Sequence, residues 1–153
     1  MSVNTPSLAA PFPALWQRIG ASLARQGMSQ LLDVRLLRAE PGCVELALPY
    51  SDKVTQQQRG FHGGATGMLA DIAGGYAALT LAPEGLEVTT VEYKINFLAA
   101  FQGGELRATG KVVRAGKRVT VASVEVLHVD TQGHSHPCAL MQQTITTVPA
   151  GMG

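Results

Sequence analysis

Three observations predict an α+β fold in which one long buried helix lies across an antiparallel sheet. First, the stretch from Gly63 to about Leu81 is apolar almost all round and rich in Ala, Leu and Met. That is the pattern of a helix covered on most of its circumference. Second, everything after it reads as strand, interrupted by short turns. Third, only one amphipathic helix and one hairpin precede it. Short turns make successive strands antiparallel neighbours, and only their sheet is large enough to cover the helix.

Taken in order, residues 1–11 read as a frayed tail. Phe12, Leu15, Trp16, Ile19 and Leu23 then recur at three- and four-residue spacing, predicting a helix that ends near Gln26-Gly27. Leu32 to Leu36 alternates, Pro41-Gly42 marks a turn, and Val44, Leu46 and Leu48 alternate again, which together predict a hairpin. Residues 51–61 are polar and read as a loop. After the long helix, Pro83 and Gly85 provide the stop. Strands are predicted over Thr89 to Phe97, Glu105 to Arg114, Arg118 to Val129 and Cys138 to Val148. In the third of these, Thr120, Ala122, Val124 and Val126 share one face, and Val119, Val121, Ser123 and Glu125 the other. With no repeat and no linker, residues 12–153 read as one domain.

Composition narrows the function classes. The chain has 153 residues, of which 46% are apolar and 15% charged. So few charges suggest that some apolar surface is covered by a second copy of the chain. A net charge of +1 without a basic arm gives no support for nucleic-acid binding. No apolar run reaches the length of a membrane span, and the start does not read as a signal peptide. Cys43 and Cys138 lack metal-type spacing, and two free thiols fit a cytoplasmic location.

The residues that draw attention lie on the long helix. Asp71 interrupts Met68-Leu69-Ala70-Asp71-Ile72-Ala73, and a carboxylate at such a position is costly unless it is paired or functional. It is a candidate general base or nucleophile; a buried acid bonded to a Thr or to backbone is the other reading. His62-Gly63-Gly64 opens the same helix. The first N–H groups of a helix have no internal partner and carry partial positive charge, so they can polarise a substrate carbonyl and hold the oxyanion formed from it. His62 is either a cap or an acid–base partner of Asp71. Gly67, Gly74 and Gly75 are expected to serve close packing. Tyr76 reads as core or tunnel lining. His128, His134 and His136 gather around a turn without a carboxylate or thiolate set, and are expected to be solvated.

The run from Gly60 through Phe61-His62-Gly63-Gly64 to Asp71, continued by Gly74-Gly75-Tyr76-Ala77-Ala78, resembles the helix signature of PaaI-like hotdog-fold thioesterases. Val91 to Leu98 resembles the strand that follows it, and Arg114-Ala115-Gly116-Lys117 the strand turn near the coenzyme A phosphates. The resemblance spans roughly residues 30–148. It implies a curved sheet wrapped around the helix, an edge-to-edge homodimer with shared sites, often paired into a homotetramer, and hydrolysis of an acyl-CoA to free acid and coenzyme A.

The resemblance also implies roles by position. Asp71 matches the catalytic acid, the N–H of Gly63, with Gly64, the group that polarises the carbonyl, and His62 the motif histidine. Gln56 stands where the family usually has Asn. Thr89 or Thr90 falls where a hydroxyl is expected to face the acid from the second subunit. Arg114, Lys117 and Arg118 are candidates for the phosphates, or a solvated turn. No metal or cofactor is expected. A hydratase or dehydratase of the same fold, or a non-catalytic acyl-CoA-binding module, are the alternatives; the lack of a second acid near His62 argues against the former.

Overall fold

The computed structural model describes residues 10–151. The amphipathic stripe folds as α1 (Pro13–Leu23), which buries Ile19 and Leu23. A second helix follows instead of a loop, α2 (Gly27–Leu31). Five residues are too few to show a helical period, so the sequence pattern does not reveal it. The hairpin strands are β1 (Arg35–Glu40) and β2 (Cys43–Pro49), with Gly42 at φ 72 in the turn. The predicted first strand begins too early. Leu32 caps α2, and Asp33 takes a left-handed φ of 59, a conformation that Asp tolerates better than most residues.

After a short 3-10 turn at Asp52–Val54 comes α3 (Gly63–Leu79). It ends two residues earlier than expected, where the Thr80 hydroxyl donates to Ala77 O (2.6 Å) and accepts from Gly42 N (2.7 Å). The remaining strands are β3 (Leu86–Phe97), β4 (Glu105–Ala115), β5 (Val119–Val129) and β6 (Ser135–Pro149). β3 and β6 are longer than their apolar runs because their ends are paired: Leu86 lies opposite Pro149, and Ser135 to Pro137 of β6 lie opposite Val129 to Leu127 of β5. Cross-strand pairing outweighs the weak strand preference of Glu87 and Pro137.

All pairings are antiparallel, and the six strands lie in the order β1-β2-β4-β5-β6-β3. The expected meander is therefore β4-β5-β6, and β3 returns to the far edge. α3 packs against β2 through β6, so the sheet wraps it. In β5, Ala122, Val124 and Val126 point inward and are buried, while Ser123 and Glu125 are exposed, as the alternation predicts. Glycine sets how close helix and sheet come. A Cβ on Gly110 of β4 would lie 2.4 Å from Ala73 O and 2.7 Å from Gly74 N, so no other residue fits there.

α1 lies against the C-terminal half of α3. The Arg18 guanidinium donates to the carbonyls of Leu79 (3.3 Å), Ala82 (3.4 Å) and Leu86 (3.2 Å). It thereby places a positive charge where the dipole of α3 ends. No helix among the described residues is long and apolar enough to cross a membrane. The tail expected over residues 1–11 lies outside the described residues up to residue 9; Ala10 and Pro11 line a groove with Trp16.

Candidate active site

The start of α3 is built by His62. Its backbone is extended (φ −65, ψ 134), and its Nδ1 accepts the Gly64 N–H at 2.8 Å. His62 is thus an N-cap, and Gly64's N–H is already engaged. Of the two glycines expected at the carbonyl, Gly64 thus spends its N–H on the cap. Gly63 keeps the exposed donor: its N–H makes no hydrogen bond among the described residues. The Phe97 ring stands over Gly63, with Cζ 3.2 Å from where a Cβ would be. Gln56 approaches from the preceding loop. Its N–H donates to Gly60 O at 2.9 Å, and its Oε1 accepts from Gln58 N. Gln56, Gly63, Phe97 and Cys138 border a cavity of about 320 Å³. Burial pushes the Cys138 thiol pKa up.

Asp71 sits further along α3 and faces a different cavity, of about 470 Å³, bordered also by Thr90, Tyr76, Ser22 and Gln26. The Thr90 hydroxyl donates to Asp71 Oδ1 at 2.7 Å. Gln143, fully buried on β6, donates through Nε2 to the same Oδ1 at 2.6 Å, and lies 3.1 Å from Asp71 O and 2.9 Å from Thr90 Oγ1. With Oδ1 so occupied, Oδ2 is the oxygen left to take a proton from, or attack, a molecule in the cavity. Two donors on one carboxylate oxygen hold the side chain in one orientation.

Of the two threonines considered, Thr90 is the one that meets Asp71, and it does so from the same chain. β3 runs beside α3 within the protomer and points Thr90 inward; Thr89 is exposed. Asp71, Thr90 and Gln143 form one cluster, and Gln56, His62 and Gly63 form another. Gly63 and Asp71 are eight residues apart on one helix, about 12 Å at 1.5 Å per residue. His62 lies farther still from Asp71, so the two do not pair within a chain.

Gln143 escaped the sequence reading, although a signal was present. Ala139, Met141 and Ile145 are its inward neighbours, so a polar amide at 143 breaks an apolar face. Gly74 packs as expected, because a Cβ there would sit 1.9 Å from Gln143 Oε1. Gly75 does not: nothing lies within 4 Å of its Cβ position, and it opens onto the Asp71 cavity. Tyr76 is core and cavity wall together. Its hydroxyl donates to Ser22 Oγ (3.0 Å) and accepts from Gln26 Nε2 (2.9 Å). Burial raises its pKa, opposed by these two bonds.

Arg114, Lys117 and Arg118 are all exposed at the β4–β5 turn. Lys117 borders a hollow of about 250 Å³, and Val88 lines both that hollow and the Asp71 cavity. The three histidines divide. His134 and His136 are exposed near Asp130, whereas His128 is buried, contrary to expectation. It stacks on Phe101 (4.4 Å between centroids, 4° between planes), and its Nε2 donates to Gly103 O at 2.9 Å. Its inward position on β5 places it there, a consequence of the strand's alternation.

Comparison with known proteins places the chain in a family. Residues 60–133, which hold both clusters except Gln56 and Gln143, match the family model of the thioesterase superfamily. A Saccharolobus solfataricus protein named as a candidate esterase is 36% identical over 101 residues, covering 66% of this chain and 71% of the relative. The 1,4-dihydroxy-2-naphthoyl-CoA hydrolase of Listeria monocytogenes is 28% identical over 101 residues, 65% of this chain and 81% of that protein. The crystal structure of a thioesterase family protein from Silicibacter pomeroyi superposes with a TM-score of 0.84 at 34% identity, covering 89% of this chain and 99% of that one. By sequence and by structure, the chain belongs to the thioesterase superfamily and has its hotdog fold.

Proposed function

We propose that the protein is an acyl-CoA thioesterase that hydrolyses a small or medium acyl-CoA, aryl or aliphatic, in sites shared between two copies of the chain. The carrying observation is Asp71, whose Oδ1 is anchored by Thr90 and Gln143 while the carboxylate faces a cavity. The named coenzyme A hydrolase among the relatives supports the thioester class.

In the first step, Asp71 Oδ2 takes a proton from water as the water oxygen attacks the thioester carbonyl carbon. The oxyanion that forms is held by the Gly63 N–H at the positive end of α3. Collapse breaks the C–S bond, and the proton on Asp71 passes to the leaving thiolate. The products are the free acid and coenzyme A. Gln56, beside Gly63, orients the water or the carbonyl, and His62 holds the helix start in shape. Arg114, Lys117 and Arg118 take the coenzyme A phosphates, supported by the shared wall between the Lys117 hollow and the Asp71 cavity.

One chain does not supply both halves to one carbonyl. A reacting carbonyl needs donor and base each within about 3 Å, and Gly63 and Asp71 are about 12 Å apart by helix rise. A second copy that turns its Gly63 toward Asp71 completes the site. The edge position of β3, with Val91, Tyr93, Phe97 and Leu98 exposed, supports edge-to-edge pairing of two sheets; such dimers pair again into a homotetramer. The two unbridged cysteines support a cytoplasmic setting.

The test is hydrolysis of a panel of acyl-CoAs, followed by release of the free thiol, with wild type and Asp71→Asn. Loss of at least about 100-fold in kcat is expected for removing the general base. Turnover by Asp71→Asn at the wild-type rate refutes the mechanism.

A further inference from the structure

We infer that Gln143 is a positioning residue for the reaction, acting through Asp71: its amide keeps Oδ1 engaged so that Oδ2 is the oxygen presented to water. The inference rests on the assignment of Asp71 as the general base made above.

The amide is fully buried, and its Oε1 is a buried acceptor with no partner among the described residues. Burying half an amide unsatisfied is unfavourable. An apolar residue at 143 would continue the inward face of Ala139, Met141 and Ile145 without that cost. The reason for a glutamine must then lie at its other end. There, Nε2 meets three oxygens: Asp71 Oδ1 (2.6 Å), Asp71 O (3.1 Å) and Thr90 Oγ1 (2.9 Å). Turning the amide over would set its carbonyl oxygen against a carboxylate and a backbone carbonyl, both acceptors only. The chemistry of the neighbours therefore fixes the NH2 group toward Asp71.

The bonds form a small closed network. Thr90 donates its one proton to Asp71 Oδ1, so its oxygen is free to accept from Gln143. Gln143 thus orients both the carboxylate and the hydroxyl that supports it. Gly74 makes the arrangement possible, since a Cβ there would lie 1.9 Å from Oε1 and 3.0 Å from Val124 Cγ2. The helix gives up a side chain one turn from Asp71, and the amide occupies the space.

The experiment compares wild type, Gln143→Met, Gln143→Glu and Asp71→Asn by steady-state hydrolysis of the best acyl-CoA of the panel, with thermal melts of each. For Gln143→Met, which keeps the length but has no donor, kcat is expected to fall about 10–100-fold, the scale of a misplaced reacting group. KM should stay within about threefold, because the substrate's own contacts are untouched. Gln143→Glu has a donor only while its carboxyl is protonated. Its activity relative to wild type is expected to rise as the pH is lowered, a trend that loss of packing alone would not give. Being isosteric, it answers the same question if Gln143→Met does not fold. A Gln143→Met kcat within threefold of wild type, or a Gln143→Glu ratio flat with pH, overturns the positioning role. If Asp71→Asn is also fully active, the catalytic assignment itself fails; if Asp71→Asn is inactive while Gln143→Met is normal, only this inference fails.

Discussion

Gly63→Pro removes one hydrogen-bond donor and leaves the helix start in place. Gly63 is the first residue of α3, where proline is well accepted because its φ suits the helix and its missing N–H has no internal acceptor. The residue before a proline must be extended, and His62 already is, at φ −65 and ψ 134. The His62 cap to Gly64 N–H does not involve residue 63, so the helix start survives. The steric cost is a Cβ placed 3.2 Å from Phe97 Cζ, which asks the ring to yield by a few tenths of an ångström. Gly63→Ala introduces the same Cβ and keeps the N–H, so the ratio of the two variants reports the donor and the ring Cδ that replaces its hydrogen. If that N–H holds the oxyanion, the ratio carries about 2.7–4 kcal/mol, or about 100–1,000-fold in kcat. The assay is release of coenzyme A thiol at saturating substrate, with circular dichroism to verify helix content. Proline and alanine variants within about threefold of each other would refute the oxyanion role of Gly63.

Mixing Gly63→Pro with Asp71→Asn, each inactive, should restore activity after subunit exchange. Half of the dimers are then mixed and one of their two sites is intact, so about a quarter of wild-type turnover returns; no recovery despite exchange would refute the composite site. Gly75→Val narrows the Asp71 cavity from a position whose Cβ would meet nothing within 4 Å, and is expected to raise KM for the bulkier acyl groups of the panel while sparing the smallest. Leu69→Ala, at a position with 0% exposure, should lower unfolding free energy by about 2–5 kcal/mol in urea titrations. Tyr76 gives a pH signature. Its folded pKa is raised by burial, so the unfolded chain loses its proton first, and stability falls as pH rises above about 10 toward the folded pKa. Denaturation series from pH 8 upward should show that decline shallower in Tyr76→Phe; identical slopes would refute it.

Much of this fold is legible in local pattern. The apolar circumference between Gly63 and Leu79 marks a covered helix, and the alternation in Val119–Val129 marks an inward face that the structure buries. Element ends are less legible, because they depend on neighbours. Leu86 and Pro149 are strand residues because they pair with each other, and Asp33 breaks an alternating run through its left-handed backbone. At the site, Asp71 stands out as a lone charge on an apolar helix. Gly63, His62 and Gln56 come forward through their spacing and the family resemblance. His62 as a cap rather than a partner of Asp71 follows from the helix rise once the start of α3 is known.

The amino-acid sequence by itself determined the class of fold, the long covered helix and the lone carboxylate on it, because periodicity and a misplaced charge are local properties. Only the tertiary structure decided what holds that carboxylate. Thr90 and Gln143 are 19 and 72 residues from Asp71 in the chain, and no local pattern relates them. They meet because β3 and β6 pair at the far edge of the sheet beneath α3, and because Gly74 leaves room for an amide between helix and strand. Which donors reach a side chain is set by packing across the sheet, and packing is a property of the folded chain.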